Sequence, residues 1–166
     1  AATPKFRFQL HWELENKLAE IAEYKQTEPV RHNPDTTGSR CVIASGVAAA
    51  HTAEILRSLD LWDRLAFFQV LQPFPLHTHF AAHLLETYEE ILIIEETTGI
   101  IETQLADRGR VNGKLNRTVP RVGELLPERI ETLLAQFAGI DKPMRSLPAV
   151  PGRRPTLCAG CPHRAS

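Results

Sequence analysis

The chain has 166 residues, of which 43% are apolar, and this is enough for one well-packed domain with additional arms. Nineteen basic and twenty acidic side chains give a formal net charge of −1, so the composition does not favour nucleic acid as a partner. No apolar run approaches the roughly 20 residues that cross a membrane, and no basic-then-apolar leader opens the sequence. These features predict a soluble, cytoplasmic protein with no membrane partner.

Residues 1–26 are predicted to form an N-terminal arm with one amphipathic helix. Leu10, Leu14, Leu18 and Ile21 recur at spacings of three and four, which predicts a helix over 10–25. Its apolar side needs a surface to pack on, in this domain or in a neighbour.

Residues 27–140 are predicted to form one α/β domain, because strand-like and helix-like stretches alternate. The predicted strands are 30–32 (weak), 41–45, 65–70, 91–96 and 111–115 (weak). Four helices are predicted in this range. One follows Ser45, one includes Phe80, one begins at Thr97 and ends at Leu105, and one begins at Pro127. Four aliphatic residues in a row at 91–94 suit a strand covered on both faces.

Residues 141–166 are predicted to form a proline-rich extended arm. The arm ends in a CxGCPHR motif that contains Cys158, Cys161 and His163. The chain also opens on Ala1 without Met and stops soon after this motif, so we expect it to be a piece of a larger protein.

Five motifs carry a resemblance to a known family. They are CVIASG at 41–46, the FPL turn at 74–76, ILIIEET at 91–97, PRVGELLPE at 120–128 and RRPTLCAGCPHRA at 153–165. In this order they resemble the large subunit of indolepyruvate:ferredoxin oxidoreductase, a thiamine-diphosphate 2-oxoacid oxidoreductase. The resemblance runs from about residue 10 to the C-terminus, and Leu157–Arg164 is its most specific part.

The resemblance implies a position within that subunit. Its pyrimidine-binding thiamine domain precedes a domain like the C-terminal domain of transketolases, and a pyrophosphate-binding thiamine domain and a ferredoxin-like segment follow. This chain resembles the second of these, with its last residues opening the third. The implied fold is a three-layer α/β/α domain with a mixed, mostly parallel five-stranded sheet, ordered 1-3-2-4-5 with strand 1 antiparallel.

The resemblance also implies the chemistry of the intact enzyme. It decarboxylates indolepyruvate or another aryl pyruvate and forms the acyl-CoA, using thiamine diphosphate with Mg, [4Fe–4S] clusters, a small partner subunit, ferredoxin and CoA. The phosphate-binding GDG motif, the catalytic glutamate and the cysteine-rich segment are missing from this sequence. We therefore expect the chain alone to be inactive, to bind no cofactor and to connect the other domains.

In the implied topology, strands 41–45 and 91–96 are neighbours at the point where the strand order reverses. Ser45, Gly46, Glu95 and Glu96 then flank a crevice of the kind that contacts ligands or other domains in α/β sheets. Ser45 is also a candidate helix cap. Successive strand residues point to opposite faces, so we expect one of the two glutamates to bond backbone at the following turn rather than both to serve one site.

Cys158 and Cys161, with His163 nearby, could supply half of a metal site. The resemblance places them near the cofactor or a cluster, and the alternative is an arm without metal, since a cluster needs four thiolates.

Other single residues have simpler interpretations. His77, His79 and His83 could include a ligand pair one helical turn apart, but a solvated helix start explains them better. Cys41 is predicted to be a small buried residue and His51 a boundary residue of the following helix. Arg121 and Glu124 are equally consistent with a capped turn and with an interface.

Two alternatives remain at this stage. The first is the same domain in another thiamine enzyme, of the transketolase or 2-oxoacid dehydrogenase type, although the CAGCPHR motif argues against it. The second is a stand-alone interaction module whose tail binds zinc through CxxCxH.

Overall fold

The computed structural model describes residues 4–96 and 98–141 of the chain. Its helices are α1 (Pro4–Ile21), α2 (Gly46–Ser58), α3 (Thr78–Thr87), α4 (Ile100–Thr103) and α5 (Pro127–Phe137). Its strands are β1 (Val30–Arg31), β2 (Arg40–Ser45), β3 (Ala66–Val70), β4 (Glu90–Ile94) and β5 (Val111–Asn112). None of the helices in these ranges is long and apolar enough to cross a lipid bilayer.

The five strands form one mixed sheet in the order β1-β3-β2-β4-β5. Strand β1 is antiparallel to β3, and the pairs β2–β3, β2–β4 and β4–β5 are parallel. The predicted sheet, its strand order and its antiparallel first strand are therefore confirmed. Strands β2 and β4 are neighbours whose following connections lead to opposite sides of the sheet, so their carboxyl ends border the switch point.

Helices cover both faces of the sheet, which confirms the three-layer α/β/α class. Residues of β2 alternate between the faces, as expected for a pleated strand. Val42 and Ala44 join the apolar layer under α2 and α5, and Cys41 and Ile43 join the layer under α3 and α4. In β4, all four residues from Ile91 to Ile94 are fully buried, as the aliphatic run predicted.

The N-terminal helix α1 begins and ends earlier than the sequence pattern predicted. It spans Pro4–Ile21 rather than 10–25. Leu10 and Leu14 of the predicted apolar side are 49% and 52% exposed, and only Ala22, just past the helix, is buried. The periodic pattern therefore identifies a helix, but the rest of the domain covers few of its apolar residues.

Several other predicted elements are shorter in the structure, β1 and β3 each by one residue. Helix α4 begins after Gly99 and ends at Thr103, so the predicted extension to Leu105 is wrong. Strand β5 is only Val111–Asn112, because pairing with β4 ends there. Strand β4 ends at Ile94, so Glu95 and Glu96 lie in the loop that follows it.

Asn33 connects the loop after β1 to the start of β3. Its side-chain amide donates to the carbonyl oxygens of Trp62 at 2.5 Å and Leu65 at 2.8 Å, and its carbonyl oxygen accepts the N–H of Phe67 at 2.8 Å. Asn33 is only 5% exposed. One buried side chain thus satisfies three backbone groups that secondary structure leaves unpaired.

Candidate functional site

A crevice of about 530 Å³ lies at the carboxyl end of the central strands. Strand β2 contributes Ser45 and the turn into α2 contributes Gly46, while Glu96 comes from the loop after β4. The structure therefore brings three of the four strand-end residues named from the sequence into one crevice at the switch point. The fourth, Glu95, does not line it.

Gly46 shapes the entrance of the chain into α2. Its φ of +59° lies in the left-handed region, and no other heavy atom would lie within 4 Å of a Cβ added there. The requirement for glycine is thus conformational rather than steric. Ser45 occupies the N-cap position with an extended backbone, but its side chain makes no capping hydrogen bond, so the predicted capping contact is absent.

The polar lining of the crevice is mainly acidic. Glu96 and Glu124 are both exposed, and the described lining also includes one histidine, the half-buried His51. One carboxylate oxygen of Glu96 accepts the backbone N–H of Leu125 at 3.2 Å, which joins the loop after β4 to the segment before α5. These contacts hold two loops together and provide no nucleophile–base pair of the kind that covalent catalysis requires.

Apolar side chains surround the same crevice. Val47 and Leu71 are 70% and 50% exposed, and Phe74, which follows the lining residue Pro73 in the chain, is 58% exposed. Val47 and Leu71 line the crevice directly. Leu71 is not among the residues predicted from the sequence, although it directly follows β3 and a strand-end rule would identify it. Several exposed apolar residues at one edge of a sheet are typical of a contact surface.

Glu95 faces the interior. It is 3% exposed, and its carboxylate accepts the N–H of Ile101 at 2.9 Å and of Glu102 at 3.2 Å. Burial raises the pKa of the Glu95 carboxyl, the backbone hydrogen bonds lower it, and the carboxylate of Glu102 adds a smaller increase. As expected, one glutamate of the pair thus accepts backbone N–H groups after the turn. Its carboxylate oxygens are used within its own chain.

Glu102 is the second buried carboxylate at this end of the sheet. It is 2% exposed and accepts the N–H of Leu115 at 3.0 Å, which ties α4 to the loop after β5. A Cβ added at Gly113 would lie 2.5 Å from the same carboxylate oxygen. The chain therefore needs a residue without a side chain at 113.

The three histidines near α3 have separate partners. His77 is buried and contacts the Thr27 hydroxyl at 3.2 Å, so it is not part of a solvated helix start. His79 lies 3.3 Å from the Glu23 carboxylate, and His83 contacts Thr87 at 3.2 Å. All three line one crevice of about 570 Å³, but each bonds a different partner within it.

Among residues 4–96 and 98–141, no group of three or more His, Cys, Asp and Glu side chains is arranged to hold a metal ion. Cys41 is fully buried in β2, and this burial raises its pKa far above the usual range of a thiol. Cys158, Cys161 and His163, with the whole predicted arm beyond Asp141, lie outside the described residues.

The sequence of the chain has relatives among known proteins. No family model matches the chain. Curated proteins named indolepyruvate oxidoreductase subunit IorA do match it. The protein of Methanothermobacter marburgensis is 30% identical over 159 residues, which is 90% of this chain and 25% of the relative. That of Archaeoglobus fulgidus is 29% identical over 163 residues, or 90% of this chain and 26% of the relative.

A third relative bearing the same name, from Thermococcus kodakarensis, is 30% identical over 142 residues and covers 75% of this chain. The chain spans about a quarter of the length of these relatives. The matches confirm the resemblance inferred from the motifs: over about nine tenths of its length, the chain is similar to one segment of the indolepyruvate oxidoreductase subunit IorA.

Proposed function

We propose that this chain is the connecting domain of a thiamine-diphosphate-dependent 2-oxoacid:ferredoxin oxidoreductase that acts on indolepyruvate or another aryl pyruvate. The observation that carries the proposal is the match to a single segment of proteins named as an indolepyruvate oxidoreductase subunit. In this proposal the intact enzyme works in the cytoplasm with a partner subunit, ferredoxin and CoA. Thiamine diphosphate with Mg and the iron–sulfur clusters belong to other domains.

The described residues support a connecting role rather than a catalytic one. Their buried carboxylates accept backbone N–H groups, and their histidines bond to separate partners. They offer no ligand set for Mg or a cluster. We therefore propose that Cys158, Cys161 and His163, in the arm beyond Asp141, are the residues of this chain that come near the cofactor in the intact enzyme.

The surface by which the domain connects is, in this proposal, the crevice edge. Ser45, Gly46 and Glu96 provide its polar part, and Val47 and Leu71 provide exposed apolar area, with exposed Phe74 next to the lining residue Pro73. Burial of such side chains against another domain contributes roughly 25 cal/mol per Å² of apolar surface before the cost of ordering the two domains is subtracted. Exposed Phe8 and Trp12 on α1 offer a second surface of the same kind.

The experiment uses the intact enzyme that contains this segment, assembled with its partner subunit. We expect reduction of ferredoxin that depends on both indolepyruvate and CoA, and none from the 166-residue chain supplied with thiamine diphosphate, Mg and CoA. Absence of turnover with every aryl pyruvate, in a preparation shown to hold its cofactors, would refute the assigned reaction.

A matched pair of variants tests the connecting surface. Leu71→Asp places a charge on the crevice edge, and Tyr24→Asp places one on a residue of equal exposure, 51% against 50%, elsewhere on the domain. In the isolated chain both should melt like the wild type, because both side chains are exposed. In the intact enzyme, only Leu71→Asp should lower activity and loosen domain association. Equal activity of the two intact variants would remove this surface from the proposal.

A further inference from the structure

A second crevice, separate from the switch point, lies beyond the carboxyl ends of β4 and β5. It has a volume of about 320 Å³, at the small end of the range for ligand sites. The described residues that line it are Thr98, Gly99, Ile100, Thr103, Lys114, Leu115 and Arg121. This set contains two cations, two hydroxyl groups and no carboxylate.

Lys114 is the unusual member of the set. It is only 3% exposed, and its ammonium donates to the carbonyl oxygen of Pro120 at 3.0 Å. Within the described ranges no carboxylate oxygen lies within ion-pair distance of this ammonium. A buried lysine normally has an anionic partner, because removing its charge from water is costly. An ammonium also has three donors, of which the Pro120 carbonyl uses one.

Two buried carboxylates lie behind the crevice wall at Gly99, where an added Cβ would be 3.1 Å from Glu102 Oε2 and 3.7 Å from Glu95 Oε1, but among the described residues neither comes within ion-pair distance of the Lys114 ammonium. Glu95 accepts the N–H groups of Ile101 and Glu102, and Glu102 accepts that of Leu115. Both side chains are thus engaged by backbone donors of the loops that enclose the crevice. The positive charge of Lys114 remains available to an anion from solution.

Arg121 adds a second charge from the opposite loop. It is exposed, it precedes the left-handed Gly123, and the described residues give its guanidinium no hydrogen-bond or ion-pair partner. A planar guanidinium matches the oxygen spacing of phosphate and can donate two parallel hydrogen bonds to it, while an ammonium contributes a point charge. One buried ammonium and one accessible guanidinium therefore suit a dianion better than a neutral ligand.

We propose that this crevice binds a phosphate group, held by Lys114 from within and by Arg121 at the entrance. The site is independent of the proposed oxidoreductase activity, since it uses only residues of this chain and can be tested on the 166-residue protein alone. Free phosphate and the phosphate end of a larger molecule share this chemistry.

The test titrates inorganic phosphate into the isotope-labelled chain and follows its backbone amide signals by NMR. We expect saturable shifts concentrated at residues 98–103 and 114–121, with none from sodium chloride at equal ionic strength. Glycerol phosphate, titrated in parallel, distinguishes the two sources: binding tighter than that of phosphate indicates a phosphate ester, and equal or weaker binding indicates the free ion.

Arg121→Gln should weaken phosphate binding roughly tenfold, the equivalent of losing one charge-assisted contact. Arg108→Gln, also an exposed arginine but outside the crevice, should bind like the wild type. Lys114→Met should also weaken binding, and its melting curve shows whether the variant is folded. If Lys114→Met does not fold, Arg121→Gln still decides the question. Equal binding by Arg121→Gln and the wild type, or no saturable shift in the wild type, would overturn the proposal.

Discussion

Replacing Glu95 by alanine should destabilise the domain far more than the same change at its neighbour Glu96. Glu95→Ala leaves two buried backbone N–H groups, at 2.9 and 3.2 Å from the carboxylate in the wild type, without an acceptor. Each unsatisfied buried donor costs about 1–3 kcal/mol, and relief from burying the carboxylate offsets part of this, so we expect a net loss of about 2–4 kcal/mol. Glu96→Ala removes a single bond, of 3.2 Å, from an exposed side chain and should cost less than about 1 kcal/mol.

The assay is urea unfolding followed by circular dichroism at neutral pH, with both variants measured beside the wild type. The pair is matched because the residues are adjacent and chemically identical, and they differ in burial and in the backbone groups they serve. Suppose the free energy of unfolding of Glu95→Ala lies within about 0.5 kcal/mol of that of Glu96→Ala, a difference typical of an ordinary surface substitution. The bonds from Ile101 and Glu102 to Glu95 would then not stabilise the fold.

Glu95→Gln adds a test by pH. Because burial raises the pKa of Glu95 above its ordinary value of 4.5, the carboxyl contributes its full stability below about pH 4.5. This contribution falls as the pH rises through the folded-state pKa. Glutamine does not titrate, so the stability of Glu95→Gln relative to the wild type should rise across the same range. A relative stability that falls with rising pH would mean that the hydrogen bonds, and not burial, dominate the pKa.

Three further changes test other parts of the structure. Asn33→Ala should cost about 2–4 kcal/mol in urea unfolding, because the Leu65 carbonyl and the Phe67 N–H lose their partner while the Trp62 carbonyl keeps the Thr36 hydroxyl, and a loss below about 1 kcal/mol would contradict the hydrogen bonds described for it. Gly113→Ala should lower stability by about 1–3 kcal/mol through contact with the Glu102 carboxylate, and the same change should cost less in a Glu102→Ala background if the clash is its cause. Cys41 should resist alkylation in the native protein and react fully in concentrated denaturant, as peptide mass spectrometry would show; rapid native labelling would mean that β2 is not buried.

The sheet could be predicted from sequence because its signals are local and strong. Four buried aliphatic residues define β4, and the alternation of strands and helices defines the parallel units. The strand order needed the family resemblance, because periodicity does not tell which strands are neighbours. The ends of the elements were less predictable. Strand β5 is two residues long because its pairing with β4 stops at Asn112, and the residue types at 113–115 do not indicate this end.

The candidate site was predictable in position and less so in detail. A strand-end rule located Ser45, Gly46 and Glu96 at one crevice. The same rule could not separate Glu96 from Glu95, because their different roles depend on where the chain goes next: the backbone of α4 returns under Glu95, and the segment before α5 passes Glu96. Lys114 illustrates the remaining difficulty, since a lysine after a weak strand gives no sign of being buried.

The two apolar layers, divided by the sheet, can change in sequence independently of each other. Leu56 belongs to the layer under α2 and Leu84 to the layer under α3, and neither layer includes a residue of the other. Substitutions that share no partner usually have additive effects on stability, so variation can accumulate on one side without compensation on the other. A domain that must fit different neighbours over evolution can therefore remodel the helices of one layer while the opposite layer maintains the fold.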